Sequence, residues 1–86
     1  MSVTVTAVVE LRAFPCDVEE RRVEIPSEDW EAAKTEMDRL ELIFRLGQND
    51  FQPVEGCYSV SAGDVIRLPF TTKRYLVEWC GFKRLD

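Results

Sequence analysis

The chain has 86 residues, 45% of them hydrophobic, and a formal net charge of −5. That length supports one domain with a modest core, and that composition favours a packed globule over a disordered tail. An acidic balance disfavours direct binding to nucleic acid, whose phosphates must be neutralised by cations.

Three further classes fall away. The chain has no histidine, so neither a Ser–His–Asp triad nor a Cys–His nucleophile can be assembled. Cys16, Cys57 and Cys80 are odd in number and lack C-x-x-C spacing. They read as free, mostly buried thiols, with no structural zinc and no cofactor expected. No run of about 18 apolar residues marks a membrane span. The N-terminus, MSVTVTAVVELR, alternates and has no basic segment ahead of its apolar residues. It does not read as a signal peptide, and a cytoplasmic protein is expected.

Residues 3 to 14 alternate. Val3, Val5, Ala7, Val9, Leu11 and Ala13 share one face, and Thr4, Thr6, Glu10 and Arg12 occupy most of the other. Period two with β-branched residues predicts a strand buried on one side, ended by Pro15. EERRVEI at 19–25 predicts a weaker strand with Arg21, Val23 and Ile25 on one face. Its charges suit a solvated edge strand, and a hairpin with the first strand is the economical topology.

Pro26, Ser27, Glu28 and Asp29 announce a helix, with Ser27 as N-cap and acids in the first turn. Trp30, Ala33, Met37, Leu40 and Phe44 recur at helical spacing, so one helix is predicted from about 28 to 46, its apolar residues in the core. Asp38 stands three residues before Glu41, a capping-box spacing that allows a kink or break at Asp38. Gly47 is placed as a left-handed C-cap. Leu42 and Leu46 make the helix apolar on a second side. Either the following segment folds over that back, which is the commoner arrangement, or it is offered to a partner.

The loop Gln48, Asn49, Asp50, Phe51, Gln52, Pro53 gathers polar side chains that tie down turns. The competing reading places Asn49, Asp50 and Gln52 against a ligand or partner. Residues 54–63 are irregular. Short strands are predicted at Val65–Leu68, at Arg74–Trp79 and, as a strand or tail, at Phe82–Leu85. Asp64 reads as the cap of the turn that launches its strand.

The order LELIFRLGQNDFQP, YSVSAGDVIRL, RYLVEWCGFKRL resembles the YodL-like domain of phage and plasmid proteins, over roughly residues 38 to 85. The matching positions are Phe44, Asn49, Ser59, Ser61, Asp64, Val65, Ile66, Tyr75, Gly81, Phe82 and Lys83. The hairpin and Trp30 lie outside it. The resemblance implies a mobile-element origin and carries no established activity.

The expected fold is a single α+β domain, an antiparallel sheet of four or five strands with one helix, kinked or straight, on one face. Between Asp17 and Glu41 ten acids face four bases, whereas Val65 to the end is basic. Two function classes remain. One is a non-catalytic phage or plasmid protein that binds a basic or nucleic-acid-binding host protein and blocks a defence system. Its acidic surface would be Glu28, Asp29, Glu31, Glu36 and Asp38, with Asn49 and Asp50 beside it. The other is a small enzyme or ligand-binding domain using the 48–52 loop and Asp64. A deep polar pocket at those residues would favour the second.

Overall fold

The computed structural model describes residues 3–85. Five strands form one antiparallel sheet in the order β2-β1-β3-β4-β5. They are β1 (Thr4–Glu10), β2 (Glu20–Pro26), β3 (Val65–Arg67), β4 (Arg74–Glu78) and β5 (Gly81–Leu85). Two helices, α1 (Ser27–Ala32) and α2 (Glu36–Leu46), connect β2 to the loop ahead of β3. The α+β class and the β1–β2 hairpin are as expected from the sequence.

Register settles which side chains face the helices. Val5 pairs with Ile25, Ala7 with Val23 and Val9 with both Arg21 and Ile66. Ile66 pairs with Tyr75, and Val77 with Phe82. This face carries the core: Ala7, Val9, Val23, Ile25, Ile66, Tyr75 and Val77 are buried with Trp30, Leu40, Ile43 and Val60. The helices pack chiefly over β1 and β2, so the β4–β5 side is more thinly covered. The other face carries two cross-strand rows, Val8-Arg67-Arg74-Leu85 and Glu10-Val65-Leu76-Lys83.

The helical segment corrects several expectations. It is broken at 33–35, not at Asp38, because Ala33 turns extended after a single six-residue helix. The cap of α2 is Thr35, whose hydroxyl accepts from the Asp38 N–H at 3.0 Å. Asp38 thus occupies the first turn, where its charge meets the helix dipole. Ser27 makes no capping bond, because the helix already begins there and Pro26 holds the cap position. Met37 is exposed rather than core, and Phe44 is half-buried at the core margin. A periodicity counted from Trp30 across the break still finds Leu40 in the core but misplaces Met37.

Gly47 has φ −78, not a left-handed value. Its glycine is required by space: a Cβ there would stand 2.5 Å from Val60 Cγ2 and 3.1 Å from the Ile43 carbonyl oxygen. The chain folds back at this point, and the Val60 N–H donates to the Gly47 carbonyl at 3.1 Å. The segment after α2 therefore packs against the end of the helix.

Other differences are smaller. β1 stops at Glu10, before Pro15 is reached, and the last segment is a full strand from Gly81. Trp79 belongs to the β4–β5 turn instead of β4. Cys16 and Cys57 are half-buried and Cys80 is exposed, so the thiols are free but not buried. The charges of β2 are not all solvated, since Arg21 is 1% exposed.

Candidate functional site

Three places hold the side chains that could carry function. The first is the loop after α2. Asn49 Oδ1 accepts from the Arg21 guanidinium at 2.7 Å, and its amide donates to the Cys57 carbonyl at 3.2 Å. Arg21 also donates to the carbonyls of Tyr58 (2.8 Å) and Gln52. Burial pushes the Arg21 pKa below its ordinary value. Its acceptors are neutral, and its Nε lacks a hydrogen-bond partner among the described residues. The Gln52 side chain accepts from the Glu24 N–H at 2.9 Å and donates to the Glu24 carbonyl. Asn49 and Gln52 are thereby engaged in holding the loop to β2, which leaves Asp50 as the exposed acid of this loop.

Asp64 is wholly buried. Its carboxylate accepts from the N–H groups of Arg12 (2.8 Å), Ala13 (2.9 Å) and Ser61 (3.0 Å) and from the Tyr58 hydroxyl (2.8 Å). The Ser61 bond closes the turn ahead of β3, the local role expected for it. The Arg12 and Ala13 bonds clamp the chain leaving β1, which lies more than fifty residues away in sequence. Burial, with the Asp64 contact second, raises the Tyr58 pKa. Four donors converge on this carboxylate, which is closed off from solvent.

The second place is the acidic helical face. Glu28, Asp29, Glu31, Glu36 and Asp38 lie outside the buried core, but they are not one surface. Asp29 and Asp38 join Glu41, Arg45 and Leu42 around a depression of about 490 Å³ between α1 and α2. Glu36 turns instead to the sheet, where it binds the Lys73 ammonium and accepts from the Tyr75 hydroxyl at 2.8 Å. Those contacts, Lys73 first, hold its carboxyl below the usual range. Glu28 and Glu31 stand outside the depression.

The third place is not announced by the sequence. Trp79 is 95% exposed, the most exposed large hydrophobic side chain among the described residues. It lies at the mouth of an apolar groove of about 310 Å³ with Phe14, Phe44, Val60, Ala62 and Val77. A second hollow shares Trp79, Phe44 and Val77 with it and runs to Gly81 and Phe82, with Glu41 and Glu78 at its wall. Phe44 and Phe82 meet edge to face, ring centroids 6.5 Å apart. The groove exists because the helices pack chiefly over β1 and β2 and reach the β4–β5 side through Phe44 on Phe82 and through Glu36 on Tyr75 and Lys73. The signal in the sequence is the aromatic spacing Tyr75, Trp79, Phe82. Strand alternation explains Tyr75 and Trp79 equally well, and it hides the turn that flings Trp79 outward.

The open face of the sheet holds one more feature that the sequence does not announce. Glu10 is 7% exposed and binds the guanidinium groups of Arg12, Arg67 and Arg74. The Arg74 hydrogen bonds contribute most to lowering its carboxyl pKa to about 2. A carboxylate ringed by cations is a cross-strand clamp joining β1, β3 and β4.

No helix among the described residues is long and apolar enough to cross a membrane. Comparison with family models, curated proteins and solved structures finds no match.

Proposed function

We propose that this protein acts by binding another protein, through the groove headed by Trp79. The observation that carries the reading is the 95% exposure of that indole beside apolar side chains. Leaving a tryptophan in water forfeits the burial free energy of the largest side chain, on the order of 2–3 kcal/mol. Exposed aromatic residues beside preformed apolar hollows are also the commonest anchors of protein interfaces. The acidic surface around Asp29, Asp38 and Glu41 serves in this reading to steer a basic partner toward the molecule, with an effect that fades in salt.

The partner in this proposal is a host protein met by a phage or plasmid product, with inhibition of a host defence as the consequence. Its support is the resemblance of residues 38–85 to a mobile-element family. A binding role needs no catalytic group, and the internal bonds of Asn49, Gln52 and Asp64 are consistent with that.

The test is affinity capture from a host carrying the element, followed by direct titration of the purified partner. Trp79→Ala should fold normally and lose at least about tenfold in affinity, the usual effect of removing an anchor residue. A partner that binds the Trp79→Ala protein as tightly as the parent would reject the groove. Charge reversal at Asp29 and Asp38 should slow association and flatten its salt dependence.

A further inference from the structure

Two segments that are neither helix nor strand, 11–18 and 53–63, meet side by side. Phe14 and Tyr58 pack edge to face, ring centroids 5.3 Å apart, and the Phe14 N–H donates to the Tyr58 hydroxyl at 3.3 Å. Two residues on, the Cys16 thiol donates to the Gly56 carbonyl at 3.0 Å. As one segment advances from 14 to 16 the other retreats from 58 to 56, so they run antiparallel. That register sets Cys16 beside Cys57.

Covalent geometry bounds the approach. The Gly56 carbonyl and the Cys57 nitrogen belong to one planar peptide unit. With the 3.0 Å hydrogen bond, this holds Cys16 Sγ within about 6 Å of the Cys57 Cα. Disulfides join residues whose Cα atoms lie up to about 7 Å apart. Both cysteines are half-buried, and both line one hollow of about 600 Å³, with room for a small oxidant. Cys80, in the β4–β5 turn, is not part of it.

A second observation concerns charge. Arg21 is buried, and its hydrogen-bond acceptors are neutral. Burial lowers its pKa, and the charge of a Cys57 thiolate acts in the opposite direction. That thiolate would lie in the field of an uncompensated guanidinium. Reactive cysteines occupy such electropositive, partly exposed settings.

We propose that Cys16 and Cys57 form a dithiol site that a hydroperoxide oxidises to an intramolecular disulfide. The Cys57 thiolate attacks hydrogen peroxide: an S–O bond forms, the O–O bond breaks, and the leaving hydroxide takes up a proton as water. The Cys16 thiolate then attacks the Cys57 sulfenic acid: the S–S bond forms, the S–O bond breaks, and a second water leaves. The two thiols give up two electrons and two protons, and the peroxide is reduced to two waters. The bond closes a loop that holds β2, α1 and α2. It also fixes the segment carrying Phe14, which lines the Trp79 groove.

The test treats reduced protein with one equivalent of hydrogen peroxide. The intact mass of the monomer should fall by about 2 Da, the two hydrogens lost. Digestion should give one cross-linked pair of peptides, Cys16 to Cys57. The oxidised protein should melt about 10 °C higher, and dithiothreitol should reverse both changes. Cys16→Ser should stop at the Cys57 sulfenic acid, trapped by dimedone. Cys80→Ser should behave as the parent.

Dimedone labelling of the parent in place of the mass loss overturns the proposal. So does a peptide map in which Cys80 carries the cross-link. A Cys16–Cys57 bond that lowers Tm also overturns it, since the two segments would then have been forced together. A folded Cys16→Ser protein that takes no label removes Cys57 from the attacking role and overturns the mechanism. Should that variant fail to fold, the parent's peptide map and Tm decide alone.

Discussion

At the β2 edge, the Gln52 carboxamide takes the outward N–H and C=O of Glu24, and the Arg21 guanidinium binds the loop that lies beside the strand. At the β5 edge, the final hairpin carries exposed Lys83 and Arg84, and its last strand pairs with β4. Both edges belong to the same short-stranded sheet, so the difference does not come from strand chemistry alone. It comes from where the long α2–β3 connection is laid down. That connection commits Asn49, Gln52 and the carbonyl of Tyr58 to β2.

The largest expected effect comes from removing the link that closes β2. Arg21→Ala should cost about 3–5 kcal/mol, because it deletes a fully buried side chain and leaves three carbonyl or amide acceptors without a donor. Urea denaturation measures this. The loss should come with aggregation, since the loop would lift from the strand. An unchanged midpoint would mean that the loop is held by its apolar contacts and that Arg21 is incidental.

Between the two edges, Glu10 ties β1 to β3 and β4. Its pKa of about 2 lies below the ordinary carboxylate value of 4.5. A group whose folded pKa is depressed contributes stability that is fully present above its unfolded pKa. That contribution is lost as pH falls through the folded one. Here the window runs from about pH 4.5 down to about 2. Glu10→Gln should cost about 1–2 kcal/mol at pH 7, a figure kept modest because Arg12 and Arg67 are about half exposed and screened. Parent and variant should converge as pH drops through that window. Equal stabilities at pH 7 would show the cluster to be ornamental.

Gln52→Ala is a gentler way to open the closed edge. Two hydrogen bonds to the Glu24 backbone are lost, but water can replace them at this exposed position, so about 1 kcal/mol is expected. The informative readout is exchange of the Glu24 amide, which should speed up while the β1–β2 ladder stays protected. Uniform speeding across the hairpin would show instead that the variant unfolds as a whole.

Much of this is legible in the sequence for a physical reason. Strand faces follow from period two, so alternation alone places Ala7, Val9, Val23 and Ile25 in the core. The helix break is not legible, because a Thr cap at 35 and an extended Ala33 leave the apolar spacing almost intact. The roles of Arg21 and Glu10 are hidden for a different reason. A charged residue in a strand reads as solvated unless its partners are known, and these partners come from as far as 37 and 64 residues away. Asp64 shows both situations at once: its bond to Ser61 is local and readable, and its bonds to Arg12 and Ala13 are not. The groove escapes a sequence reading because exposure of Trp79 depends on a turn at Trp79–Cys80 that no proline or Asn–Gly pair announces.

The smallest expected effect is on stability and the most telling is on assembly. Lys83 sits on the open face of β5, paired across to Leu76. Lys83→Thr keeps the strand, adds β-propensity and removes a charge that makes no ion pair among the described residues. Stability should therefore shift by no more than about 0.5 kcal/mol. If β5 is an edge held open by its charges, the variant should self-associate with rising concentration, seen as a growing sedimentation coefficient. High salt should produce part of the same effect in the parent by screening Lys83 and Arg84. Lys83→Thr in a Gln52→Ala background should associate further, since both edges would then be available. If Lys83→Thr stays monomeric at every concentration, the outer side of β5 is not a usable template, and the asymmetry between the two edges has no consequence for binding.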